Sequence, residues 1–146
     1  MTTMTKQQRE EFLADLHVGV LSVAGPAGQA PTSVPTFYAY EPGGDITMFT
    51  GTQRRAPQRI ERIKEAGVIT LVAQREAMPP AYVTVEAELV DVGPPTPEQM
   101  LVILRRYMPE EHAQGFVQGE LGDPENTVLL LTFRPTRWFS SDTSAD

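Results

Sequence analysis

Phe49-Thr50-Gly51-Thr52 runs directly into Gln53-Arg54-Arg55, the one stretch where hydroxyls, backbone N–H groups and guanidinium forks converge. If the first four residues end a strand and the arginines open a helix, the partial positive charge of the helix N-terminus joins theirs. The chemistry is then that of a phosphate cradle. The alternative is a solvated basic helix face. Other reactive patterns are missing: there is no GxSxG, no HExxH and no phosphate loop ending in GK[ST], since GPAGQA at 25–30 lacks the lysine and has the composition of a turn. His17 and His112 are too few for a histidine metal site and read as surface or helix-end residues. Glu86 and Glu88 share one strand face and read as solvated carboxylates. No catalytic acid, base or nucleophile is assigned.

The elements that must position these groups are legible from periodicity. Thr5 and Gln8 predict a capping box, and Phe12, Leu13 and Leu16 an amphipathic helix that stops near His17. Val18–Val23 and Thr32–Glu41 read as strands, the second carrying Pro35 and hence an edge or a bulge. Pro42-Gly43-Gly44-Asp45 turns the chain into Ile46–Thr50. Ala56, Ile60, Ile63 and Ala66 recur at helical spacing from Gln53 onward, with Gly67 as the stop. Val68–Ala73 is a strand, and Tyr82–Val92 alternates with Val83, Val85, Ala87 and Leu89 on one face. Thr96-Pro97-Glu98-Gln99 starts a helix ended by Pro109, a weaker one spans Glu110–Gln118, and Val128–Phe133 is a central strand that Arg134–Ser141 extends.

About six mostly antiparallel strands, with helices inserted rather than alternating throughout, predict a small barrel in a single domain over residues 1–146, frayed at about 1–5 and 141–146. With no cysteine, disulfides and thiolate chemistry are excluded. The 12 Lys+Arg against 19 Asp+Glu give a net charge of -7, which disfavours nucleic acid as a partner. Arg54, Arg55, Arg59, Arg62 and Lys64 reverse that balance locally, with Glu61 opposing them. No run approaches the length of a membrane span, and MTTMTKQQREEF lacks the order of a secretory signal, so the expectation is a soluble cytoplasmic protein.

The order GVLSV, PTFYAYEPGGD, MFTG followed by Arg54-Arg55, VITLV, YVTVEAEL and RPTRW resembles the pyridoxamine 5'-phosphate oxidase-like FMN-binding split β-barrel family, over about residues 8–140. Within it the sequence is most similar to the actinobacterial-type branch that includes deazaflavin (coenzyme F-420) dependent reductases. The resemblance implies a mainly β fold with helices, a six-stranded antiparallel split barrel that homodimerises around grooves for FMN or, alternatively, the deazaflavin. It implies an oxidoreductase that passes hydride to or from a small organic substrate, with the cofactor supplying the chemistry.

The resemblance further implies that Thr50, Thr52, Arg54 and Arg55 hold the cofactor phosphate. Gln53-Arg54-Arg55 replaces the family's Ser-Arg-Lys, and Gly51–Gly67 is about one helical turn longer than usual, so Arg59 is an alternative holder. Phe37 and Tyr38 match the aromatic pair near the ring system, although strand alternation lets only one of them face the groove. Gln74 matches a polar residue at the ring edge, and Trp138 a C-terminal aromatic that closes the site. Two other functions stay open: a non-catalytic carrier or sensor of flavin, haem or tetrapyrrole on the same fold, and a cofactor-free module whose arginines meet an acidic protein.

Overall fold

In order along the chain, the computed structural model contains α1 (Lys6–Ala14), β1 (Gly19–Val23), β2 (Thr32–Thr36), β3 (Ala39–Tyr40), β4 (Ile46–Thr50), α2 (Ala56–Ala66), β5 (Val68–Arg75), β6 (Ala81–Gly93), α3 (Pro97–Leu104), α4 (Glu110–Gly122) and β7 (Leu129–Asp142). It describes residues 2–52 and 56–144. The strands form one antiparallel sheet ordered β2-β1-β5-β6-β7-β4-β3.

That order puts β2 and β3 at opposite edges, yet only Phe37 and Tyr38 separate them in sequence. Three peptide steps reach at most about 11 Å, so the two edges must lie side by side and the sheet must curl into a barrel. No ladder joins β2 to β3 or β4. The barrel is therefore split along that seam.

One strand is expected from Thr32 to Glu41; two are found, which raises the count among the described residues to seven. Two residues explain the break. Pro35 cannot donate to a ladder and sits on the free-edged β2, paired with Val20 on its other side. Tyr38 has its backbone satisfied by side chains instead: its N–H donates to the Tyr107 hydroxyl at 3.2 Å, and its carbonyl accepts from that hydroxyl and from the Arg106 guanidinium. β7 likewise runs unbroken through Pro135, because a register shift opposite Glu86 and Ala87 absorbs Thr136, whose hydroxyl donates to the Glu86 carbonyl at 3.0 Å.

The alternation of β6 holds, with Val83, Val85 and Ala87 fully buried and Leu89 partly so. Val85 and Ala87, with Leu89 against them, meet Leu21, Tyr38, Ile46, Leu71 and Phe133 in the barrel core, whereas Val83 packs with Met4 and Ala81. Both capping boxes form, at Thr5/Gln8 and Thr96/Gln99. α1 ends at Ala14, earlier than expected, which leaves Leu16 exposed. α4 continues to Gly122 beyond the expected Gln118. α3 and α4 pack on each other through Met100, Leu104, Ala113 and Val117, and Phe37 and Phe49 extend this second core to the seam. Near the two ends of the described chain, Thr2 and Asp142 exchange two backbone hydrogen bonds at 3.2 and 2.8 Å, and Met4 is buried.

Candidate functional site

The seam of the barrel opens into a cleft of about 180 Å³. Val34, Pro35 and Thr36 of β2 form one side, Met48, Phe49 and Thr50 of β4 the other, and Phe37 lies between them. α2 buries Ile60 and Ile63 on one face, and its Ile63 and Arg59 line the cleft. Gly67 terminates that helix at φ +72°, with its N–H bonded to the Ile63 carbonyl at 2.8 Å. Phe116 of α4 closes the far wall, its ring edge-on to Phe49 at 6.1 Å.

Arg59 donates to Thr50 Oγ1 at 3.3 Å. Partial burial lowers its pKa, because the charged guanidinium is desolvated, and among the described residues no carboxylate pairs with it. A half-buried cation whose partner is a neutral hydroxyl presents unused donors to the cleft. The rest of the lining is mostly apolar and aromatic. An anion tethered to a planar ring system matches both.

Phe37 stacks on Tyr107 at 4.2 Å and faces the cleft. Tyr38 is fully buried, and its hydroxyl donates to the Leu13 carbonyl at 2.6 Å. Alternation thus assigns the groove to Phe37 and the core to Tyr38. Burial, followed by the neighbouring Tyr107, pushes the Tyr38 phenol well above its ordinary value. Thr52 sits just past β4, where its N–H donates to Asn126 Oδ1 at 3.0 Å and its hydroxyl accepts from the Thr127 N–H at 3.0 Å. Gln53, Arg54 and Arg55 lie outside the described residues.

Beyond Pro35 a second hollow, of about 620 Å³, is lined by Leu16, His17, Val18, Val20, Val72 and Gln74. Gln74 therefore lies apart from Arg59 but on a hollow that shares Pro35 with the seam cleft. Trp138 lines neither. Its ring lies 6.1 Å from Tyr40 and beneath the Arg9 guanidinium at 5.1 Å. His17 directs both ring nitrogens at carbonyls, Nε2 at Phe12 (2.9 Å) and Nδ1 at Gln74 (3.2 Å), and so is engaged in structure. No group of three or more His, Cys, Asp or Glu among the described residues is placed to hold a metal ion, and no helix among them is long and apolar enough to cross a membrane.

Sequence reasoning misses Phe116, Asn126 and the Arg106-Tyr107 pair. Arg106 donates to the carbonyls of Tyr38, Ala14 (2.9 Å) and Asp15 (2.9 Å), while Tyr107 donates to the His17 carbonyl at 2.7 Å. Together they pin the Phe37–Tyr38 crossing. The signal for Phe116 was its spacing from Ala113 and Val117 on an amphipathic helix; Asn126 offered only a turn composition.

No protein-family model and no curated protein sequence matches the chain. Solved structures do. An F420 reductase aligns with TM-score 0.64 at 20% identity, over 88% of this chain and 94% of its own. A FAD-binding protein from Mesorhizobium loti aligns with TM-score 0.65 at 15% identity, over 97% and 95%. General Stress Protein 26 from Bacillus anthracis aligns with TM-score 0.60 at 14% identity, over 92% and 92%. These neighbours share the pyridoxamine 5'-phosphate oxidase-like split-barrel fold, and this chain has that fold.

Proposed function

On this split-barrel scaffold, we propose that the protein is an oxidoreductase that binds FMN or the deazaflavin F-420 in a groove between two copies of the chain and acts on a small organic substrate in the cytoplasm. The observation that carries this reading is the half-buried, carboxylate-free Arg59 on Thr50 at one end of an aromatic-walled cleft. Arg59 and Thr50 receive the cofactor phosphate. The bound group supplies hydride chemistry. Phe37 and Phe116 exclude water from the cleft, and Gln74 in the neighbouring hollow offers an amide to the ring edge. Thr52 acts on the phosphate through loop shape, since its N–H is already engaged; Arg54 and Arg55 add charge. Trp138 serves the barrel end on which α1 packs.

The cleft in one chain is smaller than a pocket that encloses a whole cofactor, typically at least about 300 Å³. Exposed Leu16, Val18 and Val20 beside the second hollow supply an apolar face for a second copy. A haem carrier would require an axial ligand; His17 turns both ring nitrogens toward carbonyl oxygens, one of which a neutral imidazole can bond, and His112 lines neither hollow.

The test is a fluorescence titration of the purified protein with FMN and, separately, F-420, with mass measured by size-exclusion chromatography and light scattering. Tight binding of one by a dimer supports the reading. Binding of neither removes it and returns the arginines to a solvated helix face.

A further inference from the structure

Next to Thr50 the chain passes Gly51 and Thr52, and this turn is gripped by α4 and the residues that follow it. Asn126 Oδ1 accepts the Thr52 N–H at 3.0 Å, while Asn126 Nδ2 donates to the Glu120 carbonyl at 3.1 Å and to Glu120 Oε2 at 2.6 Å. Gly51 fits closely into this grip: a Cβ there would lie 2.5 Å from Asn126 Oδ1 and 2.9 Å from Glu120 Oε2. Glu120 also lies one turn beyond Phe116, on the same side of α4 that walls the cleft.

A carboxylate is thereby held against the residue next to the hydroxyl that, with Arg59, receives an anion. No lysine, arginine or histidine among the described residues pairs with Glu120. The amide of Asn126 fixes it without cancelling its charge. Repulsion between fixed charges scales with the charge of the incoming group, so this carboxylate penalises a doubly charged phosphate about twice as much as a singly charged one.

Building on the cofactor reading above, we propose that Glu120 is a specificity residue that selects the charge of the bound phosphate, disfavouring a doubly charged phosphomonoester relative to a singly charged phosphodiester. FMN carries the first kind of phosphate and the deazaflavin coenzyme the second.

The experiment compares the dissociation constants of riboflavin, riboflavin 4',5'-cyclic phosphate and FMN, a series of phosphate charge zero, one and two. It uses the wild type and Glu120→Gln at pH 8 in low salt. The side-chain amide oxygen of that variant can still accept from Asn126, so the grip on Gly51 and Thr52 is retained. The expected result is a gain for FMN of about fivefold, a smaller gain of about twofold for the cyclic diester, and none for riboflavin, with both gains fading in high salt. Equal changes for all three ligands, or no change for any, overturn the proposal while leaving the cofactor reading intact. Failure of the wild type to bind any of the three overturns the proposal, and failure to bind F-420 as well overturns the cofactor reading. Glu120→Asp separates charge from packing: it must keep the wild-type order of affinities, and behaviour like Glu120→Gln would also overturn the proposal.

Discussion

Arg59, the fourth residue of α2, reaches back to Thr50 at the end of β4, joining guanidinium to hydroxyl at 3.3 Å with no carboxylate partner among the described residues. Among those residues, the contact draws the only charged side chain that lines the seam cleft against the strand that walls it.

Removing that cation tests the site directly. Arg59→Ala is expected to weaken FMN or deazaflavin binding about 10- to 100-fold, the worth of a charge-assisted hydrogen bond to phosphate, and to leave riboflavin unaffected. Arg59→Lys restores part of the loss, because a point charge lacks the fork. Equal weakening of riboflavin in a fluorescence titration would move Arg59 out of the phosphate site.

The clamp on the seam predicts a stability effect remote from any ligand. Arg106→Ala abandons the carbonyls of Tyr38, Ala14 and Asp15 and is expected to cost about 2–4 kcal/mol in urea unfolding. A change below about 0.5 kcal/mol would show that water replaces the guanidinium freely.

Much of this fold was readable before the structure, and the unread part has a common cause. Thr5/Gln8, Thr96/Gln99 and the alternation of Val83, Val85 and Ala87 are local patterns, and each formed as expected. Alternation along Thr32–Glu41 reports which face a side chain takes but not which neighbour its backbone will find, so the handover at Phe37–Tyr38 was invisible. Arg106 and Tyr107 act on carbonyls 68 to 92 residues away and carry no motif. Within the site, Thr50, Arg59 and Phe37 come together, whereas the separation of Gln74 and Trp138 from them in one chain depends on how the sheet curls.

Tyr38 predicts alkaline lability. Its phenol is held above the ordinary value of 10.0 chiefly by burial, so as pH rises through about 10 the unfolded chain gives up a proton that the native state retains. The stabilisation is complete below that pH and is lost above it by up to about 1.4 kcal/mol per pH unit. Tyr40 and Tyr107 shift in the same direction and add to the slope. Tyr38→Phe should flatten the decline in denaturation curves between pH 9 and 11; an unchanged slope would assign it to other groups.

Gly51→Ala pushes a methyl group into Asn126 and Glu120. The atoms it meets are the ends of two partly exposed side chains, so the cost in stability is expected to stay below about 1 kcal/mol. Because the displaced turn adjoins Thr50, affinity for FMN should fall further than affinity for riboflavin. Parallel losses would mean that the turn does not touch the phosphate.

The apolar face around Leu16, Val18 and Val20 predicts a dimer in light scattering. Val20→Glu should shift the mass toward that of one chain and weaken cofactor binding with it. A monomeric variant that binds cofactor at full strength would contradict the shared groove.

The two-residue crossing between β2 and β3 makes the seam a wedge rather than a slot. Its apex is fixed at Phe37 and Tyr38, where Ala39 pairs with Thr47 and the Thr36 hydroxyl touches Met48 Sδ at 3.9 Å. Thr50 lies farther along β4, away from that apex. Any breathing of the barrel must therefore be angular, smallest at the aromatic end and greatest beside Thr50 and Arg59. Thin, flat groups are accommodated near the hinge, and bulky solvated ones at the mouth.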